Sequence, residues 1–126
     1  MKYARIDVET IGFVNKKDKT HINFGDHLQN IVIKDLYKEM NISEEKIYNL
    51  DFNDISTYDG EYIILPINQA ISHNLNKFLS HKIIPVFLGI SRDTTAINKD
   101  EEQYLAQFSP IGCRDQAIFD YLTKKN

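Results

Sequence analysis

The sequence predicts an α/β domain, a Rossmann-like three-layer sandwich with a mostly parallel sheet of about five strands. Three observations carry that expectation. Short apolar runs of strand character alternate with amphipathic segments of roughly 8 to 15 residues, the rhythm of βαβ units joined by right-handed crossovers. Two runs, Tyr62-Ile63-Ile64-Leu65 and Ile83-Ile84-Pro85-Val86-Phe87-Leu88, are apolar on successive residues, as strands buried on both faces are. A length of 126 residues suits one domain and leaves no room for a second independent core, so residues 1–126 are read as a single unit.

Each element follows from local pattern. Tyr3 to Val8 and Ile11 to Val14 read as strands, and the polar run Asn15-Lys16-Lys17-Asp18-Lys19 reads as a hairpin tip. From Asp26 to Met40, the residues Leu28, Ile31, Val32, Leu36 and Met40 recur at helical spacing and predict an inward stripe. Asn41 closes that helix. Ile47 to Leu50 is a short strand, followed by the stronger run at 62–65. Ser72 is placed to cap a helix carrying Leu75, Phe78 and Leu79. In the run at 83–88, Pro85 has no N–H to give a ladder, which points to the strand start or a free edge. Asn98 with Glu101 forms a capping-box-like pair that opens a helix bearing Tyr104, Leu105 and Phe108. Pro110 to Cys113 reads as a last short strand, and Asp115 as the cap of a final helix with Ile118, Tyr121 and Leu122.

Composition narrows the function classes. Hydrophobic residues at 42% and charged residues at 26% are ordinary globular usage, which argues against disorder. A net charge of −3 argues against a nucleic-acid backbone as the main partner, because such binders need a basic face. No apolar stretch approaches the ~18 residues that span a bilayer, so no membrane span is expected. Cys113 is the only cysteine, which fits a reducing compartment, and the expected location is cytoplasmic.

Ligands of open α/β sheets bind beyond the carboxyl ends of the strands. Four segments follow predicted strands and so converge on one candidate site: Asn23-Phe24-Gly25-Asp26-His27, Pro66-Ile67-Asn68-Gln69, Gly89-Ile90-Ser91-Arg92 and Gly112-Cys113-Arg114-Asp115. Gly25 allows close backbone approach, and helix N-termini attract anions. Arg92 and Arg114 add forked positive charge suited to carboxylate or phosphate. The ligand-binding candidates are therefore Asn23, Gly25, His27, Asn68, Ser91, Arg92 and Asp115, and the expected ligand is a small anion. Plainer roles stand beside these. Asp26 and Asp115 can serve only as helix caps, and Cys113 beside a strand reads as a small buried hydrophobe. The acidic run Asp100-Glu101-Glu102 reads as a favourable first helical turn. His21 and His27 flank Asp26, but spacing supplies no third ligand, and neither a metal nor a cofactor is expected.

The segment Asn23 to Asn30 resembles the "GD-x-x-Q" opening of the polysaccharide pyruvyl transferase family. Ile63 to Asn68, Lys82 to Ser91 and Pro110 to Asp115, the last matching its "GxRD" segment, follow in that family's order and spacing across nearly the whole chain. The resemblance implies the first of two Rossmann-like lobes, similar to B-type glycosyltransferases, that move a pyruvyl group from phosphoenolpyruvate to a sugar hydroxyl. It implies catalytic roles for Arg114, facing the donor anion, and for Asp26, lining the cleft floor with Gly25. Departures from the pattern are Ile118, where Ser or Thr is common, the insertion between Val8 and Asn23, and a sequence that stops after Thr123-Lys124-Lys125-Asn126, before a second lobe. A lone first lobe is expected to bind a small anion or sugar acceptor without transferring anything. The rival expectations are a stand-alone, non-enzymatic domain that sequesters an anion or nucleotide or docks on and inhibits a protein, as phage or mobile-element inhibitors do, and a homodimer with a composite site.

Overall fold

The structure is a computed structural model, and it describes residues 2–7 and 24–125. Four strands, β1 (Lys2–Asp7), β2 (Ile47–Asp51), β3 (Ile63–Ile67) and β5 (Ile83–Phe87), form one parallel sheet in the order β2-β1-β3-β5. Two short strands, β4 (Ala70–Ile71) and β6 (Ser91–Arg92), make a separate parallel ladder. The helices are α1 (Phe24–Glu39), α2 (Leu75–Phe78), α3 (Lys99–Ala106) and α4 (Gln116–Lys125). The fold is the α/β architecture that alternating runs predict, with four strands in the main sheet among the described residues. The segment Pro110 to Cys113 is not a strand: it contributes a single bridging pair, Ile90 with Cys113. The region Ile11 to Val14 and the hairpin tip lie outside the described residues.

Register assigns the faces. Tyr3 pairs with Ile64 and Ile63 with Ile83, so Ala4, Ile6, Leu65, Ile83 and Phe87 share one side of the sheet. That side holds the main core, where Ile55, Leu75, Leu79 and Leu105 cover it. Phe87 meets Phe108 edge-on at 6.4 Å, which seats the chain just past α3. The opposite side, carrying Tyr3 and Ile64, receives α1: Tyr37 packs edge-on against Tyr3 and its hydroxyl donates to the Ala4 carbonyl at 2.6 Å. Burial raises the Tyr37 phenol far above its ordinary range, so it stays a neutral donor.

The inward face of α1 differs from the expected stripe. Ile33 and Tyr37 are buried, whereas Leu28, Ile31, Val32 and Met40 are 41–56% exposed. α1 holds two overlapping rows at i, i+4 spacing, and the row ending in Tyr37 is the one that turns inward, where the Tyr37 hydroxyl donates to the Ala4 carbonyl of β1. Asn41 ends α1 at φ 55°, and the bonds from Ile42 N–H to Tyr37 O and from Asn41 N–H to Lys38 O form a Schellman closure. Pro85 lies in the edge strand β5, as its missing N–H requires. Ser72 caps nothing: Asn74 holds the cap position of the one-turn α2, and the Ser72 hydroxyl lies 3.1 Å from His73 Nδ1. Among the described residues no helix is long and apolar enough to cross a membrane. Replacing Phe87 by Ala, at 3% exposure, is expected to lower stability by about 3–5 kcal/mol in denaturant unfolding, and a loss below about 1 kcal/mol would place it outside the core.

Candidate functional site

In the order β2-β1-β3-β5 the chain leaves β1 first to one side and later to the other, so the switch lies between β1 and β3. Beyond the carboxyl ends on either side of that switch are the start of α1, Asn68 after β3, and Leu88-Gly89 after β5. A fourth segment is brought there by backbone bonds. Gly112 N–H donates to Phe87 O at 2.8 Å, Ile90 N–H to Gly112 O at 2.9 Å, and Arg114 N–H to Ile90 O at 2.8 Å. A Cβ at position 112 would overlap the Leu88 carbonyl, so only glycine lets these two chains run side by side. At Gly89 a Cβ would come within 2.7 Å of Asn68 Oδ1, and its absence leaves that side chain its place.

This register sets Arg114 at the mouth of the crevice, exposed, with Nη2 donating to the Asn68 carbonyl at 2.8 Å. The Gln29 amide meets the same guanidinium. An amide nitrogen cannot face a cationic donor, so the oxygen does, accepting from Nη2 at 2.5 Å and Nη1 at 2.9 Å while the nitrogen donates to Asn68 O at 2.5 Å. Gln29 continues the row of Ile33 and Tyr37, so the face of α1 that packs on the sheet also reaches the site. Among the described residues Arg114 forms no ion pair, and its hydrogen-bond partners are neutral.

Asp115 turns the other way. Its Oδ2 accepts from the Ser91 hydroxyl at 2.5 Å and its Oδ1 from Ile118 N–H at 3.0 Å, capping α4. The Ser91 hydroxyl, and after it the Ile118 N–H, hold this carboxyl below the ordinary aspartate range. Burial, with the nearby Asp115 charge, pushes the Cys113 thiol up and favours the neutral form, but the residue is half-buried and not the fully buried hydrophobe expected. Cys113 borders a separate concavity of about 400 Å³ between α3 and α4, walled by Leu105, Ile111, Phe119 and Leu122.

Of the residues expected at the site, Asn68 and Arg114 touch, and Ser91 and Asp115 touch beside them. Asn23 lies outside the described residues. Gly25, Asp26 and His27 form the first turn of α1, but the side chains of Asp26 and His27 lie outside the description. Arg92 is not brought to the crevice. It is buried, with Nε donating to Glu101 Oε2 at 3.0 Å and Nη2 donating to Glu101 Oε1 at 3.1 Å and to Asn74 Oδ1 at 3.0 Å. Glu101 lies in the first turn of α3 with Asp100 and Glu102, as expected, but it is buried beneath that turn. Asn98 caps its N–H at 2.8 Å, and its carboxylate, instead of reaching back as in a capping box, turns inward to Arg92. Gln29, missed as a site residue, had one sequence signal: it closes the "GD-x-x-Q" pattern. No protein-family model, curated protein or solved structure matches this chain. Among the described residues no three His, Cys, Asp or Glu side chains are grouped to hold a metal ion, and His73 stacks on Phe78 at 5.1 Å.

Two tests follow from these contacts. Glu101→Ala strands a guanidinium with side-chain exposure of 4% and is expected to cost about 3–5 kcal/mol in denaturant unfolding. A loss under about 1 kcal/mol would show that water reaches Arg92. Asp115 titrates lower folded than unfolded, so its stabilisation is full at neutral pH and disappears as pH falls through and below the ordinary aspartate range. The stability gap between wild type and Asp115→Ala should therefore close on acidification, and a gap constant with pH would refute the cap assignment.

Proposed function

We propose that this domain is the first lobe of a polysaccharide pyruvyl transferase-like, B-type glycosyltransferase-like protein, holding a small anionic ligand or a sugar acceptor at its strand ends. The observation that carries the reading is Arg114: an exposed guanidinium beyond β3 and β5, held in place by neutral acceptors and forming no ion pair among the described residues. A cation so placed keeps its charge for an incoming oxyanion. The resemblance gains support from space as well as order, because Gln29 of the first matching segment and Arg114 of the last are hydrogen-bonded. In this reading Arg114 faces the anion, and Asp26, whose backbone is in the first turn of α1, is the second catalytic candidate by resemblance.

Catalysis needs groups preorganised on both sides of the reacting centre, and the strand ends supply one. The other side belongs to a second lobe or subunit, so these 126 residues alone should bind without turnover. A second reading, a non-enzymatic domain that sequesters the anion or docks on a protein target, is favoured by one feature: Leu28, Ile31 and Val32 leave an apolar row of α1 open to solvent.

Titration with phosphate, phosphoenolpyruvate and nucleotides tests the anion site. Saturable binding is expected for the wild type, lost in Arg114→Ala and nearly as weak in Arg114→Lys, since the planar fork matters as well as the charge. Both variants should stay within about 1 kcal/mol of wild-type stability. Absent binding by the wild type, with a large stability loss in both variants, would make Arg114 a structural clip instead. Turnover of phosphoenolpyruvate with a sugar by this chain alone would overturn the one-sided reading.

A further inference from the structure

The hydrogen bonds around Arg114 leave it short of a free fork. A guanidinium has five N–H donors, arranged as an end-on pair (one from each Nη), a side-on pair (Nε with Nη2) and one outer Nη1–H. Gln29 Oε1 accepts from both Nη1 and Nη2, which fills the end-on pair. The Asn68 carbonyl accepts the other Nη2–H, which spoils the side-on pair. What remains, Nε–H and the outer Nη1–H, lies on opposite edges of the plane. A carboxylate or phosphate cannot take two parallel bonds from donors so divided.

Resting on the anion reading of this site, we infer that Gln29 is a placeholder: its amide oxygen occupies the end-on fork of Arg114 until an oxyanion displaces it. The exchange is favourable on three counts. A charged acceptor bonds a guanidinium about twice as strongly as a neutral one. The Gln29 side chain is only half-buried, so its amide can be rehydrated when it leaves. The Asn68 carbonyl also accepts from the Gln29 nitrogen, and it keeps its Arg114 bond after Gln29 swings away, so the guanidinium stays aimed. Gln29 thereby raises the threshold for ligands, admitting those that offer two oxygens in one plane. Single-point acceptors do not repay the exchange.

Inorganic phosphate and acetate, titrated separately into the folded 126-residue chain, test this and separate phosphate from carboxylate recognition. Gln29→Ala empties the fork without breaking α1, and should tighten both ligands by roughly 3- to 10-fold, because the competent state no longer competes with a closed one. Gln29→Glu installs a fixed carboxylate on the fork and should abolish binding while preserving the fold. The side-chain NMR signals of Arg114 read the contact without any ligand: rotation about its guanidinium should be hindered in wild type and averaged in Gln29→Ala. Wild-type binding lost in Arg114→Ala but unchanged or weakened in Gln29→Ala overturns the placeholder and leaves the anion site standing. Absence of binding by both wild type and Gln29→Ala overturns the anion site and the placeholder together.

Discussion

An arginine that cannot shed its proton must, once buried, be met by a carboxylate, and the pair Arg92–Glu101 is the constraint on which this half of the molecule hangs. β6 pairs with β4 and turns Arg92 inward, with Asn74 at the head of α2 taking one of its donors. Glu101 must then lie where α3 begins, and Asn98 fixes that start by capping the Glu101 N–H. With α3 pinned, Leu105 reaches the core, and Phe108 just beyond the helix meets Phe87. The chain leaving α3 is thereby delivered beside Leu88, where Gly112 permits backbone contact and Arg114 emerges at the strand ends. A buried pair of this kind adds little net stability over an apolar replacement, and its value here is positional: it fixes where α3 starts.

The same constraint separates two arginines that composition treats alike. Arg92 and Arg114 each follow a strand-like segment, and each was expected to face an anion. Burial decides between them. Arg92 is buried with its charge met by a full carboxylate and a side-chain amide beside it, whereas Arg114 is exposed among neutral oxygens. Electrostatic availability at a strand end is set by what already sits on the charge, and residue type alone does not reveal it.

Much of the scaffold was legible in the sequence because it rests on local chemistry. The runs at 63–67 and 83–87 are parallel strands, as their successive apolar residues suggest, although β5 is buried on one face and leaves Val86 exposed on the other. Asn41, Asn98 and Asp115 end or begin helices through bonds to neighbours one turn away, which spacing can show. Three features escaped because they depend on partners distant in sequence. Leu28, Val32, Leu36 and Met40 make as regular a row as Gln29, Ile33 and Tyr37, and only the Ala4 carbonyl, met by the Tyr37 hydroxyl, tells which row turns inward. Glu101 reads as one of three first-turn acids until Arg92 is found beneath it. Gln29 and Arg114 lie 85 positions apart by their numbers, and no periodicity links them. The candidate site was legible as a place, the strand ends, and less so as a set of contacts.

Arg114 and Asp115 show how adjacent residues of opposite charge are kept from cancelling each other. A free carboxylate beside a free guanidinium would pair with it and close the site. Here Asp115 is committed on both oxygens, one to Ser91 and one to the N-terminus of α4, where the helix dipole favours negative charge. Its depressed titration comes first from the Ser91 hydroxyl and then from the Ile118 N–H, with the Arg114 charge the smallest of the causes. Arg114, turned toward α1 and β3, finds two neutral oxygens that orient the guanidinium without neutralising it. The helix cap thus has a consequence beyond starting α4: it turns the Asp115 carboxylate toward Ser91 and the α4 N-terminus, so that the oxygens meeting Arg114 among the described residues are the neutral ones of Gln29 and Asn68.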